Sequence, residues 1–462
     1  MKIIHYVGQN GCSAKSYQDA IQDLANIVIN TFDQSNVTLR ANRDGRPIRI
    51  NVSPTVRDLL GFAISVYIAD EHLSRNETPD GWTRAIDFII PVGNPSSWIS
   101  SQDVLTNTLN VLSGDNYVFK WEKCDSIPKQ KKHRSKFPKN FDLISLFSGG
   151  LDSFLGVYQA LSKGKKVILV SHQADPIAAS TQVELARYLK LLFPGNVTLI
   201  QCRVARSQTT SQLFSLPKKN EETHRSRSFL FLCLAIAVAS ASDTQAILIP
   251  ENGLIALNVP LQLSRMGTLS TRTAHPLYLK LFIETVKQLG AFTGHIHNPF
   301  LYQSKTDILT NVPENIKPLL LKTVSCSHPD VFRWSGVSKK RHCGYCVPCI
   351  YRRIAMAGIG IDNPANYVTD VFTSLKLLSP AKQADLRALV SFSKRVLNSC
   401  EAERQMMLLQ HGIFPYDIGG VIGPYAAKDF SPWSDMLRRW AKDFLEKTKS
   451  WSSESTKRIL SL

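Results

Sequence analysis

The sequence lacks a long hydrophobic run. Hydrophobic residues make up 44% of its 462 residues, but the most apolar stretch, residues 229–239, lies between Arg227 and Asp243. It falls short of the roughly 20 residues that a membrane-spanning helix needs, so it predicts a buried core helix and no membrane partner. The N-terminus also lacks the long apolar segment and cleavage site of a secretory signal, which predicts a cytoplasmic protein.

Acidic residues are scarce. Asp and Glu number 37 against 55 Lys and Arg, a net charge of +18, which favours an anionic partner such as a nucleotide, a nucleic acid or an acidic protein. Part of the excess lies in a run at residues 129–139 that has no apolar period. That run is typical of an exposed linker, and a nucleic-acid contact is the alternative.

The nine cysteines are odd in number, and their spacing favours a metal site over disulfides. Four of them cluster as Cys326, Cys343, Cys346 and Cys349. Four thiolates suit tetrahedral Zn²⁺ in a closed, structural site. An Fe–S cluster on the same ligands and a set of unrelated buried cysteines are the alternatives, and His328 and His342 are spare imidazoles.

The hydrophobic pattern divides the chain into three sections. Residues 1–138 predict an α+β domain with a hairpin over 37–52, a helix from Ser53 and a strand over 85–90 stopped by Pro91. Residues 139–360 alternate short apolar runs with helical stretches, the pattern of an α/β fold with a parallel sheet. Residues 361–462 predict a helical region whose last helix carries a core-facing side around Trp440, or alternatively a partner surface.

The strongest chemical signal is the segment Ser148-Gly149-Gly150-Leu151-Asp152-Ser153, placed where a predicted strand ends and a helix begins. Two glycines allow a tight turn, the serines add hydroxyl donors, and the helix N-terminus favours an anion. The segment therefore predicts a phosphate site. It matches neither the Walker loop nor the dinucleotide fingerprint.

This segment resembles the Ser-Gly-Gly-x-Asp-Ser signature of the PP-loop ATP pyrophosphatases, which cleave ATP to AMP and pyrophosphate. Together with the cysteine knuckle followed by Arg352 and Arg353, it resembles the 7-cyano-7-deazaguanine synthase (QueC) family over residues 141–355. The longer layout is similar to the QueC-like proteins of bacterial antiphage systems, particularly the QatC proteins of the Qat system. The resemblance implies a parallel-sheet PP-loop core (adenine nucleotide alpha hydrolase-like) that carries a four-cysteine zinc knuckle.

The resemblance also implies roles for individual residues. Asp152 and Ser153 are implied to be catalytic, and Arg227 and Lys305 are candidates for stabilising charge near the α-phosphate or the substrate. Four polar residues in presumptive loops on the ligand side of the sheet are further candidates: Glu251, Asn252, Arg272 and His275. The residues implied to bind ATP and Mg²⁺ are Ser148, Gly149, Gly150, Leu151, Asp152 and Ser153 for the phosphates, and Ser171, His172 and Gln173 for the adenosine.

The implied reaction adenylates a 7-deazaguanine carboxylate or amide and then forms a C–N bond or a nitrile. Ammonia or the N-terminal amine of a partner protein encoded nearby is the nucleophile. One alternative is a tRNA-modifying PP-loop enzyme, which for sulfur transfer needs a reactive thiol such as Cys202. Another alternative is a scaffold protein of a defence complex that binds a nucleotide without cleaving it.

Overall fold

The computed structural model describes residues 2–6, 27–30, 37–124, 137–173, 175–206, 221, 225–258, 272–334, 341–409 and 430–462. They form an α/β protein with two sheets. The strands are β1 Lys2–Tyr6, β2 Ile27–Asn30, β3 Val37–Arg43, β4 Arg46–Pro47, β5 Ala85–Val92, β6 Asn116–Lys123, β7 Leu143–Leu146, β8 Val167–His172, β9 Val197–Arg206, β10 Ala246–Leu248 and β11 His295–His297. The helices are α1 Pro54–His72, α2 Pro95–Ser100, α3 Gln102–Ser113, α4 Leu151–Ser162, α5 Pro176–Leu192, α6 Arg227–Ser242, α7 Gly253–Leu257, α8 Pro276–Gln288, α9 Lys305–Leu309, α10 Lys317–Leu320, α11 Val331–Trp334, α12 Val347–Gly358, α13 Val371–Ser374, α14 Pro380–Asn398, α15 Glu401–Leu409, α16 Ser431–Trp451 and α17 Glu454–Leu460.

The larger sheet has seven strands in the order β11-β10-β7-β8-β9-β3-β4. Its five strands from β11 to β9 run parallel, as the alternating pattern of residues 139–360 predicts. Strand β8 is buried along its whole length, because helices cover both faces of such a sheet. The strands β7 and β8 therefore deliver Ser148 and His172 to the same edge, where ligands of open parallel sheets bind.

The predicted hairpin is present, but it belongs to this larger sheet. Strand β3 pairs antiparallel with β9, from Val37 opposite Arg206 to Arg43 opposite Ile200. The Asp44 carboxylate fixes the register by accepting hydrogen bonds from the Leu199 backbone N–H and the Thr198 hydroxyl. The first section of the chain thus supplies one edge of the core sheet, and the domain boundaries at 138 and 360 stay predictions.

The smaller sheet contains the other strands of the first section in the order β2-β1-β5-β6, all parallel. Parallel pairing is typical of an α/β arrangement, and the α+β domain over residues 1–138 stays a prediction. Strand β5 also continues through Pro91 to Val92, because its partner β6 extends alongside as far as Lys123. Helix α1 begins as predicted, with the Ser53 hydroxyl accepting the Val56 N–H.

The hydrophobic core is continuous across the three predicted sections. Phe62 of α1 makes edge-to-face contacts with Phe229 of the largely buried helix α6 and with rings of the smaller sheet and its helices. Aromatic pairs of this kind contribute about 0.5–1.5 kcal/mol each beyond their buried area. The same cluster includes Trp433 and Trp440 of α16.

The C-terminal section is helical where the structure describes it. Helix α16 buries one face, which confirms the predicted core-facing side. Among the described residues, no helix combines the length and the apolar character needed to cross a bilayer. The predicted basic linker lies outside the described residues, apart from Lys139, which pairs with Asp243. The buried residues on the core-facing side of α16 are Trp433, Ser434, Met436, Leu437, Trp440, Ala441, Phe444 and Thr448.

Candidate active site and metal centre

The loop from Ser148 to Ser153 joins β7 to α4, as the sequence predicts. Gly149 has φ = +82°, a conformation that favours glycine, and a Cβ there would lie 3.3 Å from the Thr181 side chain. Gly150 has an ordinary φ of −80°. The conformational requirement for glycine therefore falls on Gly149 alone. The Ser148 hydroxyl accepts the Gly150 N–H at 3.2 Å, which tightens the turn.

Asp152 lies in the first turn of α4 and is buried beneath this loop. Its Oδ1 accepts a hydrogen bond from Lys305 Nζ at 2.5 Å, and its Oδ2 accepts one from Asn252 Nδ2 at 2.6 Å. Lys305 is itself buried. It is the first residue of helix α9, whose start is fixed by a capping box of Ser304 and Asp307. Three segments distant in sequence therefore converge on one carboxylate.

Glu251 completes this group, which we call the Asp152 cluster: Asp152, Glu251, Asn252 and Lys305. Burial works to raise the pKa of Asp152, but the charge of Lys305 and its hydrogen bond outweigh burial and hold that pKa below its usual value. Burial and the neighbouring Asp152 charge raise the pKa of Glu251 to about 8. At neutral pH the cluster therefore holds one carboxylate and, beside it, one carboxylic acid.

A cavity of about 370 Å³ opens next to the loop, within the size range of small-ligand sites. Glu251 lines it together with some of the predicted site residues, whereas Asp152 and Lys305 lie behind its lining. Gln173 instead donates its backbone N–H to the Cys202 carbonyl. The predicted site residues that line the cavity are Ser148, Ser153, Ser171, His172, Arg227 and the metal-ligand candidate Cys326.

His172 stands between two rings in the wall of this cavity. Its imidazole lies 5.5 Å from Tyr67 and 5.2 Å from Phe231. Burial and the charge of Arg227 lower its pKa to about 4, so the ring is neutral at physiological pH. Neither ring nitrogen has a hydrogen-bond partner among the described residues. The ring can therefore offer one donor and one acceptor to a bound molecule.

Arg227 begins helix α6, and its guanidinium lies 5.5 Å from the centre of the Phe231 ring. The preceding residue, Ser226, donates its backbone N–H and its hydroxyl to Asp70 at 2.7 and 2.8 Å. Asp70 belongs to α1, so the first section of the chain fixes the position from which Arg227 reaches the cavity.

Two of the polar loop candidates serve the fold instead. Arg272 donates to the Val111 carbonyl at 3.1 Å, and His275 caps α8 by accepting the Leu277 N–H at 3.2 Å. Burial raises the pKa of Cys202 to about 12, so its thiol stays protonated and is a poor nucleophile. This observation weighs against sulfur transfer at that residue.

The four clustered cysteines converge as predicted, with all four sulfurs within 4.8 Å of one another. Tetrahedral zinc with Zn–S bonds of about 2.3 Å places its sulfurs about 3.8 Å apart. The Cys343 and Cys349 sulfurs are 3.7 Å apart, and the backbone N–H groups of His328 and Cys343 both donate to Cys326 Sγ at 3.3 Å. The hydrogen bond with Cys326 lowers the pKa of Cys346 to about 6, which favours the thiolate that a metal needs. The cluster could therefore hold a metal ion such as zinc.

Three residues at the site escape a reading of the sequence. Tyr67 packs on His172 from the first section, where no motif marks it. Gln182 of α5 donates to the Ser148 and His172 carbonyls, and Ser325 accepts the Leu151 N–H. Only Ser325 carries a signal in the sequence, since it directly precedes the first clustered cysteine.

Comparison with protein-family models, with curated proteins and with solved structures finds no match to this chain. The resemblance to the QueC family therefore stays a prediction that rests on the two motifs. The α/β fold with its mostly parallel sheet and the cysteine cluster rest on the geometry described above.

Proposed function

We propose that the chain is an ATP pyrophosphatase of the PP-loop type that forms AMP and pyrophosphate. The observation that carries this proposal is the Asp152 cluster. Asp152 is buried at the start of α4 beneath a glycine turn, is paired with Lys305, and has Glu251 beside it at a cavity. A buried carboxylate pair next to an anion-binding turn suits a metal-bound pyrophosphate.

The turn and the start of α4 bind the β- and γ-phosphates. The Ser148 and Ser153 hydroxyls border the cavity, and the positive end of α4 faces the same loop. A Mg²⁺ ion held by Asp152 and Glu251 would neutralise charge that develops on the departing pyrophosphate. Glu251 has to release its proton to take part, and Lys305 keeps Asp152 ionised.

The wall formed by His172 and Phe231 binds the base and ribose end of the nucleotide. A neutral imidazole recognises base edges through one donor and one acceptor, and the adjacent rings offer apolar surface. Arg227 lies next to this wall and stabilises negative charge near the α-phosphate.

The substrate that ATP activates is a 7-deazaguanine carboxylate or amide, as the resemblance to the QueC family implies. Attack of its oxygen on the α-phosphorus forms an adenylate and expels pyrophosphate. An amine then displaces AMP and forms a C–N bond. The amide can repeat the activation through its oxygen, and the resulting imidoyl-adenylate loses AMP and a proton to give the nitrile.

The acceptor amine belongs to a partner protein, and the reaction serves bacterial antiphage defence. This part of the proposal rests on the similar layout of the QueC-like defence proteins and on the net charge of +18, which favours an acidic partner.

The cysteine cluster holds one structural zinc ion per chain. Four cysteine ligands leave no open coordination position, so the metal contributes to folding rather than to the reaction. Elemental analysis should give one zinc per chain, and Cys346→Ser should lower solubility and zinc content. Iron with visible absorbance, or no metal, would contradict this assignment.

The first experiment incubates the full chain with Mg²⁺-ATP and 7-carboxy-7-deazaguanine and identifies the nucleotide released. We expect AMP and pyrophosphate from the wild type and about 10²–10³-fold slower release from Asp152→Asn. The matched control is Asp103→Asn, which alters an exposed aspartate in the first turn of another helix. Release of ADP, or no release at all, would refute the proposed reaction.

The second experiment adds the product of a neighbouring gene and records intact masses. We expect the mass of that protein to rise by one deazapurine residue at its N-terminal amine. Free nitrile with an unmodified protein would show that ammonia is the acceptor. Modified tRNA would show that the acceptor is a nucleic acid.

A further inference from the structure

The segment before the first clustered cysteine crosses the phosphate loop. The Val324 backbone N–H donates to the Gly149 carbonyl at 2.9 Å, and the Leu151 N–H donates to the Ser325 hydroxyl at 3.2 Å. These two hydrogen bonds join the loop on both sides of Gly150. Residues 323–326, which we call the strap, therefore fix the loop, although they lie outside the βα turn that forms it.

The cysteine cluster anchors the strap at both of its ends. Cys326 is one of the four clustered cysteines, and its sulfur accepts the Cys343 N–H. At the other end, the Thr323 hydroxyl accepts a hydrogen bond from Arg352 at 2.6 Å. Arg352 lies on α12, the helix that carries Cys349 in its first turn. A metal that draws the four sulfurs together therefore also fixes the strap against the loop.

The Ser325 hydroxyl has a hydrogen left for a ligand. A hydroxyl carries one donor and two acceptor lone pairs, and the contact with the Leu151 N–H uses a lone pair. The oxygen would lie 3.7 Å from a Cβ at Gly150, on the turn where the Ser148 hydroxyl also lies. The side chain is half-buried, so a bound phosphate can reach it.

We infer that Ser325 is a further pyrophosphate-binding residue, presented by the strap, and that the metal of the cysteine cluster and a nucleotide on the loop stabilise each other's binding. The inference rests on the proposed nucleotide site. Because such coupling is reciprocal in the binding free energies, a nucleotide that is held by the strap must tighten metal binding by the same factor by which the metal tightens nucleotide binding.

The test measures transfer of zinc from the full, zinc-loaded chain to a coloured chelator, with and without α,β-methylene-ATP and Mg²⁺. This analogue cannot be cleaved at the bond that the proposed reaction breaks. We expect a saturating analogue to raise the equilibrium affinity for zinc, measured by competition with the chelator, by about fivefold or more in the wild type. Calorimetry on the same samples gives the dissociation constant of the analogue.

Three variants distinguish the effect of losing the Ser325 hydroxyl from the effect of a general loss of structure. Ser325→Ala should weaken analogue binding about tenfold, the effect of losing one hydrogen bond to a charged group, and should remove most of the gain in zinc affinity. Ser325→Thr keeps the hydroxyl and should restore both effects. Ser100→Ala removes an exposed hydroxyl on α2 and should behave as the wild type.

The possible failures are distinguishable. Analogue binding without any effect on zinc affinity would overturn the coupling and leave the proposed function standing. Unchanged affinity in Ser325→Ala would overturn the role of its hydroxyl. A chain that binds the analogue but contains no metal would overturn this inference and the zinc assignment while leaving the proposed ATP reaction standing, and a chain that binds no analogue would overturn both the inference and that reaction.

Discussion

Two buried ion clusters of this protein differ in charge balance. The first, which we call the Asp115 cluster, contains Asp70, Arg75, Arg84 and Asp115. Asp115 pairs with Arg75 at 2.6 Å and with Arg84 at 2.7 Å, and Arg84 also pairs with Asp70 at 2.6 Å. Two guanidinium groups thus face two carboxylates, and the buried Arg225 and Glu221 beside them add one basic and one acidic side chain. Such a set needs no further ion.

The Asp152 cluster has two carboxyl groups and one ammonium group. Lys305 neutralises Asp152, and Glu251 avoids a second negative charge by keeping its proton, since its pKa is raised to about 8. The same physics of burial acts on both clusters. In the Asp115 cluster, burial leaves charged groups that pair with one another. In the Asp152 cluster, burial leaves a proton on Glu251 that a divalent cation can replace.

The pKa shifts express this difference. Burial opposes ionisation of Arg84, yet its hydrogen bond with Asp115 and the nearby carboxylates raise its pKa further above the usual range. Burial likewise opposes ionisation of Asp115, but Arg84 and Arg75 lower its pKa. Both partners are therefore charged throughout the physiological range. Only the Asp152 cluster contains a carboxyl group poised to titrate near neutrality.

The two clusters also connect. Asp70 of the Asp115 cluster accepts two hydrogen bonds from Ser226, the residue before Arg227. The balanced cluster therefore fixes the start of α6, and α6 presents Arg227 to the cavity beside the Asp152 cluster. A structural cluster thus positions a residue of the candidate active site without touching the cavity itself.

Substitution in the Asp115 cluster should have the largest effect. Asp115→Ala leaves two buried guanidinium groups short of a carboxylate, and guanidinium groups do not shed a proton at any physiological pH. We expect a loss of about 3–5 kcal/mol in the free energy of unfolding, measured by chemical denaturation. Asp103→Ala, at an exposed site, is the control. A loss below about 1 kcal/mol would show that the cluster is not structural.

Asp152→Asn should lower the activity strongly and should lower the stability less than Asp115→Ala does. We expect AMP release to fall about 10²–10³-fold, because the amide cannot hold a cation against the pyrophosphate. The loss of stability should be smaller than for Asp115→Ala, since Asp152 pairs with one buried cation and Asp115 with two. Steady-state rates and denaturation curves of the two variants make the comparison. If Asp152→Asn and Asp115→Ala lowered the free energy of unfolding equally and Asp152→Asn kept full activity, the two clusters would not differ in role.

The binding of a divalent cation should depend on pH through Glu251. Its pKa of about 8 lies above the usual value, so the group holds a proton below pH 8 that a cation must displace. Affinity for Mn²⁺ or Mg²⁺ should therefore rise with pH, by up to about tenfold per unit below pH 8, and level off above it. Titrations of the wild type and Glu251→Gln between pH 6 and about 9 test this. A wild-type affinity independent of pH would exclude Glu251 as a ligand.

Substitution of Asn252 should have the smallest effect. Asn252→Ser keeps an oxygen that can cap α7 and removes the amide that donates to Asp152. We expect cation affinity to change by about 1 kcal/mol, roughly fivefold, with turnover retained. Calorimetric titration gives the affinity. A loss as large as that of Asp152→Asn would mean that Asn252 touches the substrate or the metal directly.

The sequence determined the parts of this protein that depend on local order. The glycine turn, the helix that begins at Leu151, the apolar strands and the spacing of three cysteines in one knuckle could all be read from neighbouring residues. Each of these features arises from backbone conformation, hydrophobic period or ligand spacing within a few residues.

Only the tertiary structure decided which residues share the site and which sheet each strand joins. The hairpin strand β3 has the same alternating pattern whichever sheet it joins, so its pairing with β9 could not be predicted from its own residues. The proton on Glu251 depends on burial and on Asp152, a neighbour about a hundred residues away in the chain. The strap reaches the phosphate loop through hydrogen bonds of the Val324 backbone and the Ser325 hydroxyl. Such long-range contacts are decided by packing, because no local pattern encodes the distance between segments that the fold brings together.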